Sequence, residues 1–377
     1  MALAASFEVD DLRSRAFEII AVEQATAGYT DEAIELARSI NDSFDRDSAY
    51  YYIVKNLAER ALFEDALQLV QEIDNPKYRE LATGEIAVGL SAAGQSDRAE
   101  TLAAKLVDKE ARARTLAALA VHYKKSGHPD LASKMLAGAN DALEFLKGSY
   151  SADLAKSDIV RMFSEAGIFF PDALVIAYNI EDDHRHAFAA LDIARGMVAA
   201  GMMKEGLAYA ENMAAGERDY VIIAAVNELA EAGRYDEAFD LSRRLGNKER
   251  LAQARADIAM AQWKAGIHDE SLRVVRGIET GSYRARSLTE IAAKLTEAGR
   301  GEKAALLLKE AVEVARGIED GPDRMYALAD AAGALDEMGK KKEALGLAIK
   351  AMQILETIDK KHRHIGALTE LAVDLLH

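Results

Sequence analysis

A glycine, usually preceded by alanine, recurs at nearly even intervals along the chain. The ten turn positions are Gly28, Ala61, Gly94, Gly127, Gly167, Gly201, Gly233, Gly266, Gly299 and Gly339, with alanine in place of glycine once. Successive positions are 32 to 34 residues apart, except for two intervals of 40 residues. A repeat of this length is one supersecondary unit that cannot bury its apolar face alone, so neighbouring units must stack. The 377 residues are therefore expected to form an array of stacked repeats.

Each repeat has the pattern of two helices separated by the turn. A small or β-branched residue stands seven positions before the turn and a large apolar residue usually stands four before it, as Val54 and Leu57 do before Ala61. This spacing places one apolar stripe on a first helix, which the turn glycine closes in the left-handed conformation. An acid such as Asp31 or Asp97 then suits the positive end of a second helix. The pattern predicts an all-α chain of helical hairpins.

The hairpin pattern resembles the tetratricopeptide repeat (TPR) family, which uses 34-residue helix–turn–helix units. The resemblance extends over about residues 12–377, as ten units followed by one further helix. It implies a right-handed α-solenoid of about ten TPR-like repeats plus a C-terminal helix, in which the first helices line a concave groove.

The two 40-residue intervals indicate an internal duplication. They lie five units apart, so the duplicated blocks are about 12–178 and 186–358, followed by a terminal helix at 363–377. Seven additional residues make about two helical turns, which lengthens the second helix of units four, nine and ten without rotating its buried face. Because no proline-rich or glycine-serine linker separates the blocks, residues 1–377 are expected to form one elongated solenoid.

Arginine recurs near the start of the first helix, and an acid recurs just before that arginine, as in Asp42 and Arg46 or Asp74 and Arg79. Two interpretations are open. The arginines could form a cationic ladder that grips a polyanion, or each could pair with the preceding acid and hold the loop between units. Because the acid recurs with the arginine, the second interpretation is favoured.

The TPR resemblance also implies which side chains point into the groove. The candidate partner-binding residues are Tyr51, Lys55, Arg114, Lys124, Arg161, Arg195, Tyr220, Asn227, Trp263 and Arg286. At the corresponding positions the only acids are Glu18 and Asp336, so a basic groove is expected on a chain whose net charge is −16. Such a groove suits an acidic peptide or a chain terminus. Trp263 has two interpretations, either exposure in the groove or packing against the next hairpin.

Composition excludes several classes of protein. The chain has no cysteine, hence no disulfide framework or thiolate metal site. No apolar run is long enough to span a bilayer, and the excess of acids argues against general affinity for nucleic acid or anionic lipid. Residues 1–11 lack the pattern of a signal peptide. A cytoplasmic location is therefore expected, with no membrane insertion and no nucleic-acid partner.

No arrangement typical of an enzyme is found in the sequence. His184-Arg185-His186 and His362-Arg363-His364 occupy matching places in two units, but a metal site needs further ligands, so these triplets are interpreted as a duplicated loop. Metal-protease, nucleophile-elbow and phosphate-loop motifs are absent. We expect no catalytic residues, no bound metal and no cofactor.

The expected function is a non-catalytic scaffold that binds a partner protein or acidic peptide in the groove. One alternative is a self-assembling structural subunit, in which the last helix leaves an apolar stripe for a second chain, formed by Leu368, Leu371, Leu375 and Leu376. Another alternative is a sensor or accessory protein that binds a small acidic ligand in the groove.

Overall fold

A computed structural model describes residues 10–146 and 150–357, and within these ranges the chain forms twenty α-helices and no strand. The first helices of the hairpins are α1 (Asp10–Thr26), α3 (Ser43–Glu59), α5 (Pro76–Ala92), α7 (Lys109–Lys125), α9 (Tyr150–Ala166), α11 (Asp183–Ala199), α13 (Ala215–Glu231), α15 (Lys248–Lys264), α17 (Gly281–Glu297) and α19 (Gly321–Glu337). The second helices are α2 (Thr30–Arg38), α4 (Phe63–Leu69), α6 (Ser96–Ala104), α8 (Pro129–Glu144), α10 (Phe170–Tyr178), α12 (Met203–Ala210), α14 (Tyr235–Ser242), α16 (His268–Arg276), α18 (Gly301–Arg316) and α20 (Lys341–Thr357). The predicted all-α chain of helical hairpins is confirmed within these ranges.

The turn between the helices of each hairpin has the predicted backbone conformation. The nine turn glycines have φ between 70° and 93°. Ala61 adopts the same left-handed region with a φ of 59°, although its Cβ makes this conformation less favourable than it is for glycine. The turn geometry therefore persists in the one repeat that lacks the glycine.

Small residues allow the helices of a hairpin to approach closely. The residues seven positions before the turns are all 0% exposed: Ala21, Val54, Ala87, Ala120, Val160, Ala194, Val226, Ala259, Ala292 and Ala332. The alanines five positions after the turn, such as Ala33 and Ala304, are buried as well. These residues form the core inside each hairpin and against its neighbour, as the apolar stripe predicted.

Successive first helices approach closely at two glycines five residues before the turn. A Cβ atom on Gly89 of α5 would lie 2.7 Å from the carbonyl oxygen of Ala58 in α3. A Cβ on Gly196 of α11 would lie 2.6 Å from the carbonyl oxygen of Ser164 in α9. Both distances are shorter than van der Waals contact, so the backbones pack directly against each other there.

The three second helices that were expected to be long are long. The helices α8 and α18 have 16 residues and α20 has 17, whereas the other second helices have 7 to 9. The additional residues continue the helix as two further turns, as the 40-residue intervals predicted.

The chain divides into two compact units between Met197 and Val198. In the first unit α1, α3, α5, α7 and α9 pack in that order, each against the next, and in the second unit α13, α15, α17 and α19 do the same. The second helices α2, α4, α6, α12, α14, α16 and α18 also contact the first helix that follows each of them. The expectation of a single elongated solenoid with boundaries at 12–178 and 186–358 stays a prediction.

Three of the recurring arginines, Arg46, Arg79 and Arg324, bind the backbone of the preceding loop, which differs from the predicted pairing with the acid just before them. Arg79 donates to the carbonyl oxygen of Ile73 at 2.6 Å, and Arg324 donates to that of Ile318 at 3.1 Å. In both cases the carbonyl lies six residues earlier, just after the second helix, where backbone acceptors lack helical partners. This geometry accounts for the recurrence of arginine without a polyanion.

Four of the recurring acids cap first helices. Asp42 accepts from the N–H groups of Phe44 and Asp45, and Asp108 accepts from that of Ala111. Asp182 and Asp320 cap their helices in the same way. The acid and the arginine recur together because one satisfies the donors of a helix start and the other satisfies an acceptor at the end of the helix before.

A buried carboxylate in several first helices holds the loop that precedes the next first helix. Asp47 accepts from the N–H groups of Asp74 and Asn75 at 3.2 and 2.6 Å. Asp153 likewise accepts from those of Glu181 and Asp182 at 3.0 and 2.8 Å. These bonds fix one hairpin against the next.

Candidate functional site

Four successive first helices of the first unit line a cavity of about 290 Å³. Tyr51 and Lys55 come from α3, Glu85 from α5, Arg114 from α7 and Arg161 from α9. The structure therefore brings four of the predicted groove residues together on one surface.

Both arginines on this surface are paired with carboxylates, and the cavity lining has no excess of positive charge. Arg114 lies 3.0 Å from Glu110 and 2.8 Å from Asp158. Arg161 lies 3.3 Å from the same Asp158 and 3.7 Å from Glu165. The charged residues that line the cavity are three cations and three acids: Lys55, Arg114, Arg161, Glu85, Asp158 and Glu165.

Tyr51 is oriented by a carboxylate of the next first helix. Its Oη donates to Oε1 of Glu85 at 3.0 Å. Burial, together with the charge of Glu85 and this hydrogen bond, raises the pKa of Tyr51 well above its ordinary value of 10.0. Tyr51 therefore stays a neutral donor, and its ring also packs edge-on against Tyr52, with centroids 5.0 Å apart.

A row of acids that sequence analysis missed lies on the first helices. Glu85, Asp158, Asp192, Asp257, Glu290 and Asp330 each stand nine residues before their turn glycine. Four of the six line cavities: Glu85, Asp158, Glu290 and Asp330. The family-based positions did not include this one, although counting back from the turn glycine would have found it.

The second unit has its own cavities along α17 and α19. One of about 530 Å³ is lined by Glu249, Ser282, Tyr283, Arg286, Asp323, Tyr326, Ala327 and Asp330. An adjoining one of about 460 Å³ is lined by Arg286, Thr289, Glu290, Ala293, Tyr326, Ala329, Asp330, Gly333, Ala334 and Glu337. Since Arg286, Tyr326 and Asp330 line both cavities, the two form one surface, the α17–α19 groove.

Tyr220 and Asn227 of α13 contact residues of the next first helix. The guanidinium carbon of Arg250 lies 3.9 Å from the centroid of the Tyr220 ring, a cation–π contact. Asn227 donates a side-chain hydrogen bond to Asp257, a member of the acidic row. Both predicted residues are therefore engaged within the second unit.

The remaining predicted residues differ in exposure. Trp263 is only 9% exposed, lies in the apolar core and stacks on His268 with ring centroids 4.2 Å apart, which is the packing interpretation. Lys124 and Arg195 are exposed and, like Lys55, form no ion pair with a residue that the structure describes. Arg286 is 74% exposed.

Several expectations concern residues outside 10–146 and 150–357. Leu368, Leu371, Leu375 and Leu376, the proposed self-assembly surface, lie there, as do the terminal helix at 363–377 and the triplet at 362–364. Among the described residues, no group of three or more His, Cys, Asp or Glu is arranged to hold a metal ion. None of the described helices combines the length and apolar character needed to cross a bilayer.

Burial raises the pKa of three carboxyl groups in the acidic row, those of Asp192, Asp257 and Asp330. Burial raises the pKa of Asp257 from 3.8 to about 6; the hydrogen bond from Asn227 opposes this rise and the charge of Glu290 adds to it. Because the folded pKa is the higher one, the stabilising contribution of this group is complete below about pH 4 and is lost as the pH rises through 6.

We therefore expect Asp257→Asn to leave the free energy of unfolding nearly unchanged at pH 4 and to raise it by about 1–3 kcal/mol at pH 8. Urea titrations at the two pH values measure the difference. Asp236→Asn, at an exposed position, is the control. It should change the free energy of unfolding by the same small amount at both pH values. If Asp257→Asn raised the free energy of unfolding equally at both pH values, the raised pKa of Asp257 would be contradicted.

No protein-family model matches the chain, and no curated protein matches it. Among solved structures, it is similar to Ton1535 from Thermococcus onnurineus NA1, with 17% identity, coverage of 83% of this chain and 98% of that chain, and a TM-score of 0.34. The APC/C hetero-tetramer Cut9–Hcn1 gives 13% identity, coverage of 90% and 80%, and a TM-score of 0.25. The Rap protein complexed with competence and sporulation factor gives 14% identity, coverage of 88% of this chain and 100% of that chain, and a TM-score of 0.28. At these values the similarities carry no argument about what this chain does.

Proposed function

We propose that the chain is a non-catalytic scaffold that binds a partner protein through the surface of its first helices. The observation that carries this proposal is the convergence of Tyr51, Lys55, Arg114 and Arg161, from three separate first helices, on one open cavity. Stacked hairpins present side chains from several repeats to one ligand, which suits recognition of an extended segment.

The residue types on this surface suit binding. Arginine and tyrosine are enriched among the residues that contribute most to interfaces, because they combine large contact area with hydrogen bonding. Arg114 and Arg161 are held in place by Asp158, and Tyr51 is held by Glu85. Such positioning before binding reduces the entropy lost when a partner docks.

An acidic segment of the partner is proposed for the first unit only. Lys55, Lys124 and Arg195 make no ion pair within the part of the chain that the structure describes, so they are the cations available to partner carboxylates. Arg114 and Arg161 already share Asp158 and would have to exchange that contact.

Crosslinking of the full chain in native cell extract, followed by mass spectrometry, tests the scaffold. We expect partner crosslinks at Lys55 and Lys124, which lie on first helices. Lys204 and Lys350, exposed on second helices, serve as internal controls. Crosslinks confined to the second helices would place the partner on the other face and contradict the proposal.

A charge-reversal variant tests the same surface independently. Lys55→Glu combined with Arg161→Glu should lower recovery of the crosslinked partner about tenfold, which corresponds to about 1.4 kcal/mol of binding free energy. Lys204→Glu with Lys350→Glu changes the net charge equally and should leave recovery unchanged. Equal losses for both pairs would show only a general effect of charge.

A further inference from the structure

The α17–α19 groove carries an excess of negative charge. Its lining residues include five carboxylates and one cation, namely Glu249, Asp323, Asp330, Glu290, Glu337 and Arg286. The cavity in the first unit, by contrast, has equal numbers of each sign. The two cavities therefore differ in charge, and the one in the second unit favours a cation.

The single arginine does not neutralise this groove. Arg286 Nε lies 3.9 Å from Asp330, at the outer limit of an ion pair, and its side chain is 74% exposed. Burial raises the pKa of Asp330 even though Arg286 lowers it, so the carboxylate remains poorly compensated. A second cation beside Asp330 would supply the missing compensation.

Two tyrosines complete the walls. Tyr283 comes from α17 and Tyr326 from α19. Tyr326 stands thirteen residues before its turn glycine, the same place that Tyr220 occupies in α13, and the Tyr220 ring binds the Arg250 guanidinium at 3.9 Å. The chain thus already uses a tyrosine at this repeat position to bind a guanidinium by its face.

A buried hydroxyl at the groove wall is without a partner. Thr289 of α17 lines the second cavity and is 7% exposed, and its Oγ1 forms no hydrogen bond with a described residue. A buried hydroxyl without a hydrogen bond is unfavourable. A guanidinium offers several N–H donors for the carboxylates beside this residue.

We propose that the α17–α19 groove binds an arginine-rich segment of a partner protein, with guanidinium groups on Asp323 and Asp330 and against the faces of Tyr283 and Tyr326. The cavities lie within the range of ordinary ligand pockets, about 300–1,000 Å³. This inference rests on the proposed scaffold function and names the chemistry of the partner at the second unit. For this unit, the proposed partner segment is basic, whereas the sequence predicts an acidic one.

Fluorescence anisotropy of the full chain with labelled peptides tests the proposal. The probes are short glycine-serine peptides that carry four arginines, four lysines or four glutamates. We expect the arginine peptide to bind most tightly, because guanidinium stacks on tyrosine and pairs with carboxylates better than ammonium does. Asp323→Asn with Asp330→Asn should raise its Kd about tenfold or more, and Tyr283→Leu should also weaken it.

The control variant is Asp236→Asn with Asp240→Asn, two exposed acids on α14 that alter the net charge equally. Its Kd should stay within about twofold of that of the unaltered chain. Equal weakening by both double variants would show non-specific attraction to an acidic protein and would overturn the proposal. Preference for the glutamate peptide, or no binding of the arginine peptide, would also overturn it. Crosslinks at Lys55 and Lys124 test the scaffold separately, so the two failures are distinguishable.

Discussion

Asp153→Ala is expected to lower the free energy of unfolding by about 3–5 kcal/mol, since removing one member of a buried ion pair leaves the other charge uncompensated. Asp153 and Lys156 are both only 6% exposed and lie 3.1 Å apart. The variant would leave the Lys156 ammonium buried beside the carbonyl of Asn179, its remaining partner. It would also deprive the N–H groups of Glu181 and Asp182 of their acceptor, loosening the loop before α11.

The loss should depend on pH in a defined direction. Burial alone would raise the pKa of Asp153, but hydrogen bonds from the Asp182 N–H, Lys156 and the Glu181 N–H together lower it below 3.8. A group with a lowered folded pKa stabilises above its unfolded pKa and loses that contribution as the pH falls. The difference between the variant and the unaltered chain should therefore be complete at pH 7 and shrink below about pH 4.

Urea denaturation followed by circular dichroism measures this difference. Asp240→Ala is the control, because Asp240 and its partner Arg243 are both 71% exposed, and exposed pairs contribute about 0–1 kcal/mol. Asp153→Asn keeps an acceptor for the backbone and should lose less than Asp153→Ala. A loss for Asp153→Ala no larger than that for Asp240→Ala would contradict the role assigned to the buried pair.

Gly196→Ala should lower the free energy of unfolding by about 1–3 kcal/mol, the usual effect of overpacking a well-packed core. Its new Cβ would lie 2.6 Å from the carbonyl oxygen of Ser164 and 2.8 Å from the Cα of the same residue. Backbone atoms cannot rotate away as a flexible side chain would. Helices α9 and α11 would have to separate, which would expose apolar surface along both.

Gly346→Ala is the matched control for this prediction. Gly346 is also inside a helix, α20, but is exposed and has nothing within 4 Å of the position its Cβ would take. Alanine is the better helix former there, so stability should rise by about 0.5–1 kcal/mol. Thermal and urea unfolding of both variants measure these changes. A neutral or stabilising effect of Gly196→Ala would contradict the packing argument.

Features that depend on position within one repeat could be predicted from the sequence. The small residues before each turn, such as Ala21 and Val54, are buried as the pattern required. The long second helices followed from seven additional residues, since two full turns of helix preserve the buried face. These predictions succeeded because neighbouring repeats impose the same local packing on the same position.

The electrostatics of the candidate surface could not be predicted in this way. The basic groove predicted from the sequence requires Arg161 and Arg114 to be free cations, but both contact Asp158. Arg114 and Asp158 lie on successive first helices. The groove positions of a single repeat do not show which charges meet between neighbouring repeats. The arginines near the helix starts were misassigned for a similar reason, since Arg79 binds a backbone carbonyl, which no side-chain pattern reveals.

The amino-acid sequence by itself determined the hairpins, their turns and their buried faces, because helix periodicity and the conformational freedom of a turn glycine act over a few residues. Only the tertiary structure decided which charges are compensated and where aromatic rings stand beside carboxylates. Electrostatic and ring contacts act over a few ångströms in space, between residues such as Tyr51 and Glu85 that lie 34 positions apart in the chain.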